Sequence, residues 1–343
     1  MRAAVFHGPR DVRIESVADP TAPARDEVVL AVIRAAICGT DASEWDHGPV
    51  ICRPGVVLGH EFVGRVVGAG TDVTAFRVGD RVVSGAGVSC GSCRWCRAGR
   101  TNLCAEYRTL GLQVDGGLAE YVTSPAAICH VVPDACDDDA AAMTQPLAVA
   151  LHALARVAQG PDDAVAIVGT GGIGSFIVAG ASRRAEDGRV VAIDIDDERL
   201  ATARALGAHQ AANATGRDLI ELLLELSDGV GFDVVIEASG APHAPAAAIA
   251  GARRGGRVLL VGLHQAPRAI ELTPMILREV DVHTTVAHVC DSDIPAALEL
   301  LADSDVASIT MGPRIPLDAL VEDGLRPLAE RRAAGKILVI PAA

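Results

Sequence analysis

The sequence predicts an α/β protein of two domains, the first rich in short β-strands and the second built on a doubly wound parallel sheet. Three observations predict it. A chain of 343 residues is too long for one ordinary core and suits two. Half of it is hydrophobic but only 3% is aromatic, so the interiors must be Val, Ala, Leu and Ile, as in buried parallel strands covered by helices. Near residue 147 the texture also changes, from β segments to strands alternating with helices.

Up to about residue 130 the segments "RAAVFHG", "DEVVLAVIRAA", "EFVGRVVGAG", "GDRVVSG" and "LAEYVTSP" read as strands, punctuated by Gly, Pro and Asp. "LAVALHALARVA" has helical periodicity. The strands "AVAIVG", "RVVAIDID", "DVVIEASG", "RVLLVGL" and "VDVHTTVAH" follow, with helices between them. After residue 290 come a helix, "IPAALELLAD", and a last strand, "GKILVIP". That strand stands outside the alternation and is free to rejoin the first domain, which would make the domain discontinuous.

The net charge of −14 argues against nucleic acid or an anionic membrane as partner. No apolar run reaches membrane-spanning length, and "MRAAVFHGPRDVRIE" lacks a signal-peptide core, so a cytoplasmic protein is expected. In a reducing compartment the nine cysteines are thiols or metal ligands rather than a disulfide framework.

"AVAIVGTGGIGSFIVAGASR" places Gly169, Gly171 and Gly174 after an apolar strand and at the start of a helix. The first glycine permits a tight turn, the second admits a pyrophosphate and the third lets helix and strand pack closely. Backbone N–H groups at the helix start, including those of Gly172 and Ile173, would face the phosphates. Asp194, twenty residues beyond Gly174, ends the next strand where a carboxylate would accept from ribose hydroxyls. Asp196, Asp197 and Glu198 would repel a 2′-phosphate, and Arg199 is the one basic residue nearby, so NAD is favoured over NADP. Gly262, at the end of "RVLLVGL", completes the cofactor-binding set.

"SCGSCRWCRAGRTNLC" spaces Cys90, Cys93, Cys96 and Cys104 at intervals of three, three and eight. Four thiolates can wrap a tetrahedral zinc and leave no open position, which is a structural role. Arg94, Arg97 and Arg100 lie where they could offset the net negative charge. Catalysis must then lie elsewhere. Cys38 in "AAICGTDASEWDHG" and His60 with Glu61 in "VLGHEFVG" offer a thiolate, an imidazole and a carboxylate, a set that could hold a zinc with an open position. Taken alone, His60 reads as a loop histidine and Cys38 as a small buried residue.

"CGTD", "GHEFVGRVVGAG", "VGDRVV", the four-cysteine lobe, "GTGGIG" and "GKILVIP", in that order, resemble a zinc-dependent medium-chain alcohol/polyol dehydrogenase. The resemblance covers essentially the whole chain. It implies a GroES-like catalytic domain, residues 1–145 and 289–343 with the zinc lobe at about 88–106, around a Rossmann domain, residues 146–288. It also implies two zincs per chain, one catalytic and one structural, and reversible hydride transfer between a zinc-bound alcohol or its ketone and NAD. Cys38 and His60 would be catalytic-zinc ligands, Glu61 a ligand or exchangeable neighbour, and Thr40 the relay of the alcohol proton.

Two positions depart from the family. Gln145 stands where relatives read Glu-Pro-Leu, with an acid facing the catalytic zinc. Ser43 replaces a relay histidine that many relatives carry, and His47, a loop position in this reading, is its possible substitute. "TLGLQVDGGLAEYV" and "QPLAVALHAL" resemble butanediol and sorbitol dehydrogenases, which implies a secondary alcohol, diol or polyol. The cysteine lobe is similar to that of threonine dehydrogenases, which makes an amino alcohol the alternative. Reduction of a polarised double bond and dinucleotide binding without turnover stay open. "VDVHTTVAHV" would be an exposed sheet edge in a monomer, so a homodimer or homotetramer is expected.

Overall fold

The strand Glu27–Ala36 organises the first part of the chain because both of its edges are used. It is mostly Val, Ile, Leu and Ala, residues suited to a pleated surface packed on both faces. One edge pairs antiparallel with Glu61–Ala69. The other takes Tyr121–Pro125 and then, further along, Lys336–Ile340. Met311–Pro316 extends the sheet beyond Lys336–Ile340, while Arg81–Ser84 and Cys129–Val131 extend it on the far side. The side chains of Phe6, Leu30, Phe62, Leu110 and Leu118 are fully buried in the core on this sheet.

Register decides what this sheet can do. Ala36 lies opposite Glu61 on one side and opposite Leu338 on the other. Neighbouring antiparallel strands run in opposite directions. Residues just after Ala36, just before Glu61 and just before Leu338 are therefore gathered at one end of the sheet. Cys38, His60 and Lys336 are those residues.

The computed structural model describes residues 1–264 and 266–342. They form two compact units, Met1–Ala148 with His288–Ala343, and Val149–Ala287. The second unit holds six parallel strands in the spatial order Gln210–Asn213, Arg189–Asp194, Ala164–Val168, Phe232–Glu237, Ala252–Leu260, Asp281–Thr284. Sequence order reverses between Ala164–Val168 and Phe232–Glu237, the position where open α/β sheets bind ligands beyond their carboxyl ends. Val165, Ile167, Val191, Val234 and Val235 are fully buried, as strands covered on both faces require.

Several elements differ from the sequence reading. The strand expected across "VDVHTTVAH" is confined to Asp281–Thr284. The helix expected at "IPAALELLAD" begins earlier, at Cys290, because Asp293 Oδ2 accepts from the Val289 N–H at 2.7 Å and fixes the first turn. Gln210–Asn213 and Met311–Pro316 are strands without apolar alternation, held in place by one neighbour each.

Candidate metal and cofactor sites

Cys38 leaves the organising strand and caps the helix Gly39–His47, where its N–H donates to Asp41 Oδ2 at 2.9 Å. His60 is delivered by a turn that needs glycine. Gly59 has φ +97°, and a Cβ there would lie 2.6 Å from Leu118 Cγ. One donor atom each from Cys38, His60 and Glu61 lies within 4.8 Å of the others. His60 and Glu61 are buried, Cys38 is half-buried, and Thr40 Oγ1 sits 3.6 Å from Cys38 Sγ.

The surroundings are acidic. Asp41 Oδ1 is 3.6 Å from His60 Nδ1, too long for a hydrogen bond, and neither atom has a hydrogen-bond partner. Lys336 Nζ donates to Glu61 Oε1 at 2.7 Å and lies 2.5 Å from Oε2. Burial opposes a charged His60, but Asp41, Cys38 and Glu61 outweigh it and carry the imidazole to about 10. Burial likewise pushes the Asp41 carboxyl up. Burial opposes the Lys336 charge too, yet Glu61 and Cys38 prevail and raise it. The donors around His60 are thus predominantly anionic. Thiolate, imidazole and carboxylate are zinc donors, so these residues fit a divalent zinc.

The second cluster is local. Cys90, Cys93, Cys96 and Cys104 present sulfurs within 4.8 Å of one another, from a segment with one turn of helix at Arg94–Arg97. All four are free thiols. Cys104 Sγ accepts from the N–H groups of Cys90 at 3.3 Å and Glu106 at 3.4 Å. Backbone bonds from Cys96 and Ala105 bring the Cys93 thiol down to about 6. Backbone N–H groups also lower Cys90, whereas burial raises Cys96 to about 11, and the four-sulfur set fits a closed zinc site. Arg94 stacks over Trp95 at 4.2 Å, and Arg97 donates to Ser92 O within the lobe.

In the second unit the glycine turn divides its labour. Gly169 has φ +91°, and a Cβ there would lie 2.6 Å from Ser239 Cα. A Cβ at Gly174 would run into Gly169 O, so this glycine serves close packing. Gly171, by contrast, faces only Arg199 Nη1 at 3.7 Å, and Gly172 faces open space. A side chain on either would fill the room a pyrophosphate needs at the start of the helix Gly172–Arg184, so the cradle fits a dinucleotide. Gly262 packs against Gly240 and Glu237, where a Cβ would meet Gly240 N at 2.5 Å. Asp194 is buried and already occupied. Oδ2 accepts from Thr170 N at 2.7 Å and Oγ1 at 3.2 Å, and Oδ1 from Ile195 N at 2.8 Å and Asp196 N at 3.2 Å. A ribose diol would have to replace the two longer bonds.

Residues 24–134 match the family described as alcohol dehydrogenase GroES-like domain, and residues 172–303 that described as zinc-binding dehydrogenase. A sorbitol dehydrogenase of Bacillus subtilis (strain 168) is 32% identical over 311 residues, 89% of this chain and 87% of that protein. The chain belongs to the zinc-dependent medium-chain dehydrogenases. An L-threonine 3-dehydrogenase of Shewanella baltica (strain OS185) is 37% identical over 257 residues, 74% of each chain. The crystal structure of 2R,3R-butanediol dehydrogenase from Bacillus subtilis superposes with TM-score 0.90 at 28% identity, covering 99% of both chains.

As a medium-chain dehydrogenase this protein is an NAD-dependent oxidoreductase that uses zinc and acts on a small molecule. No helix among the described residues is long and apolar enough to cross a membrane. In the dehydrogenase Gln145 is buried in the first turn of the helix Thr144–Val157. His47 closes the helix Gly39–His47 rather than lying in a loop, and is exposed with Nδ1 3.0 Å from Asp46. Ser43 is exposed on the same helix. Two residues absent from the sequence-derived site are Asp41 and Lys336. Asp41 was within reach of sequence reasoning, as the acid three residues past Cys38 in "CGTD". Nothing in the local sequence marks Lys336, because only strand register brings it to Glu61.

Proposed function

We propose that this dehydrogenase transfers hydride between NAD and a secondary alcohol, diol or polyol, or the matching ketone. Cys38, His60 and Glu61 hold the catalytic zinc. The observation that carries this is the trio of zinc donors with atoms within 4.8 Å of one another, buried at His60 and Glu61 and half-buried at Cys38. Zinc bound there supplies Lewis acidity that lowers the pKa of an alcohol. Thr40, with its hydroxyl 3.6 Å from Cys38 Sγ, takes up the alcohol proton and passes it on. Asp41 Oδ1 faces His60 Nδ1 across 3.6 Å, which would leave the other ring nitrogen to hold the metal. Cys90, Cys93, Cys96 and Cys104 hold a second, structural zinc. Gly169, Gly171, Gly172, Ile173, Gly174, Asp194, Arg199 and Gly262 form the dinucleotide site.

The catalytic domain in this reading is residues 1–145 and 289–343, and the nucleotide domain residues 146–288. Similarity to sorbitol and butanediol dehydrogenases supports the polyol assignment. The 37% identity to an L-threonine 3-dehydrogenase supports a second reading, oxidation of an amino alcohol. Steady-state assays of sorbitol, 2,3-butanediol and L-threonine, each with NAD⁺ and NADP⁺, separate the two. Expected is turnover of a diol or polyol with NAD⁺ strongly preferred. Turnover of threonine alone favours the second reading, equal use of NADP⁺ removes the role of the acidic run after Asp194, and no turnover at all defeats both.

The protein works in the cytoplasm as a homodimer or homotetramer. The strand Asp281–Thr284 has one unpaired edge, and Leu272, Ile276, Leu277, Val282 and Val286 nearby are exposed, a combination that invites pairing about a two-fold axis. Sedimentation at micromolar protein should show a multiple of the 35.3 kDa chain, and a single species at that mass would reject the assembly.

A further inference from the structure

Lys336 brings an ammonium into the catalytic pocket and places it on a residue that the zinc also needs. Glu61 is completely buried and Lys336 nearly so. Oε1 accepts the aligned hydrogen bond from Nζ at 2.7 Å. Oε2 lies 2.5 Å from the same nitrogen without an aligned hydrogen bond, so the ammonium straddles both oxygens and a metal at this carboxylate would have to draw one of them away. A Glu61 oxygen is also within 4.8 Å of the Cys38 sulfur and a His60 nitrogen. The carboxylate thus stands between the Lys336 ammonium and the cluster that would hold the zinc. The arrangement is fixed by the fold, since Ala36 pairs with both Glu61 and Leu338, and Lys336 is two residues before Leu338.

We infer that Lys336 is a positioning residue that competes with the zinc for the Glu61 carboxylate and keeps Glu61 a displaceable ligand. The inference rests on the catalytic-zinc reading above. An ammonium that shares the carboxylate's charge weakens it as a metal donor. The zinc is then held less firmly, remains the stronger Lewis acid, and can exchange Glu61 for substrate oxygen. The competing view is that Lys336 only neutralises a buried acid. The two views give opposite signs. If Lys336 were only structural, deleting its charge would loosen the metal along with the fold. If it competes, deletion leaves Glu61 with zinc as its sole counter-charge, and the metal is held more tightly.

The test follows chelator-driven zinc release from the zinc-loaded full chain, with Cys38→Ser identifying which zinc depends on the catalytic cluster. Lys336→Met should slow release of that zinc by about tenfold or more and lower kcat. Lys336→Arg should stay near wild type on both, and adding Glu61→Gln to Lys336→Met should abolish the slowing. Lys336→Gln answers the same question if the methionine variant does not fold. Unchanged or faster release in both uncharged variants overturns the inference while leaving the zinc reading intact. If wild type has no Cys38-dependent zinc, both fall together.

Discussion

The two cysteine-containing clusters of the first unit are assembled in opposite ways. The lobe draws its four sulfurs from residues 90–104, keeps all but Cys104 partly exposed, and lowers the Cys90 and Cys93 thiols with nearby backbone N–H groups. The other cluster draws Cys38, His60 and Glu61 from two strand ends, with Asp41 on a helix and Lys336 from a third strand. Its carboxylates are taken out of water and only partly matched by positive charge. A loop can be made ready for a metal by its own main chain. A buried cluster of acids is costly until a cation joins it, which suits a site where charge must move.

That contrast can be broken experimentally. The largest effect is expected for Cys38→Ser. Turnover should fall about 10³-fold, a loss of several kcal/mol of transition-state stabilisation, and metal analysis should drop from two zincs per chain to one. The melting temperature should change little, whereas loss of both zincs would show that the clusters are not independent. Cys93→Ser comes next. Removing a thiolate from the closed lobe should destabilise the chain by about 4 kcal/mol, lowering the calorimetric midpoint by roughly 10 °C. Molecules that remain folded should still turn over. A variant of full stability and no activity would exchange the roles of the two clusters.

The smallest effect belongs to Gln145→Glu, which sharpens the comparison rather than breaking it. If Gln145 faces the catalytic cluster, a carboxylate there adds one negative charge to it. Zinc release from that site should slow by about tenfold. The alkaline-favoured oxidation profile should move to higher pH, because a more negative set of donors makes the metal a weaker acid catalyst. If both measurements are unchanged, Gln145 faces away from the metal.

The contrast also explains what could be read in the sequence. The lobe is visible in a single window because its geometry is local, and the glycine turn is visible because strand, turn and helix are consecutive. Cys38 and His60 drew notice through adjacent motifs, but their meeting depends on Ala36 lying opposite Glu61, which no local pattern encodes. Lys336 is further removed. A lysine at the start of an apolar strand looks like an ordinary end residue, and its meaning appears only when Leu338 is set opposite Ala36. Short edge strands such as Gln210–Asn213 escape for a related reason: a neighbour's hydrogen bonds hold them, not their own alternation. Asp194 shows the reverse case. Its position at a strand end was legible, but not that the turn beside it would already use both oxygens.

The strand Lys336–Ile340 also sets an order of events during synthesis. The unit Val149–Ala287 is one continuous stretch and can fold as soon as it has left the ribosome. The sheet around Glu27–Ala36 must wait with an edge unfilled until Lys336–Ile340 is made. Over that interval Glu61 is without its lysine. If Lys336 competes for Glu61 as inferred above, the last strand to arrive is also the one that adjusts how the carboxylate meets a metal.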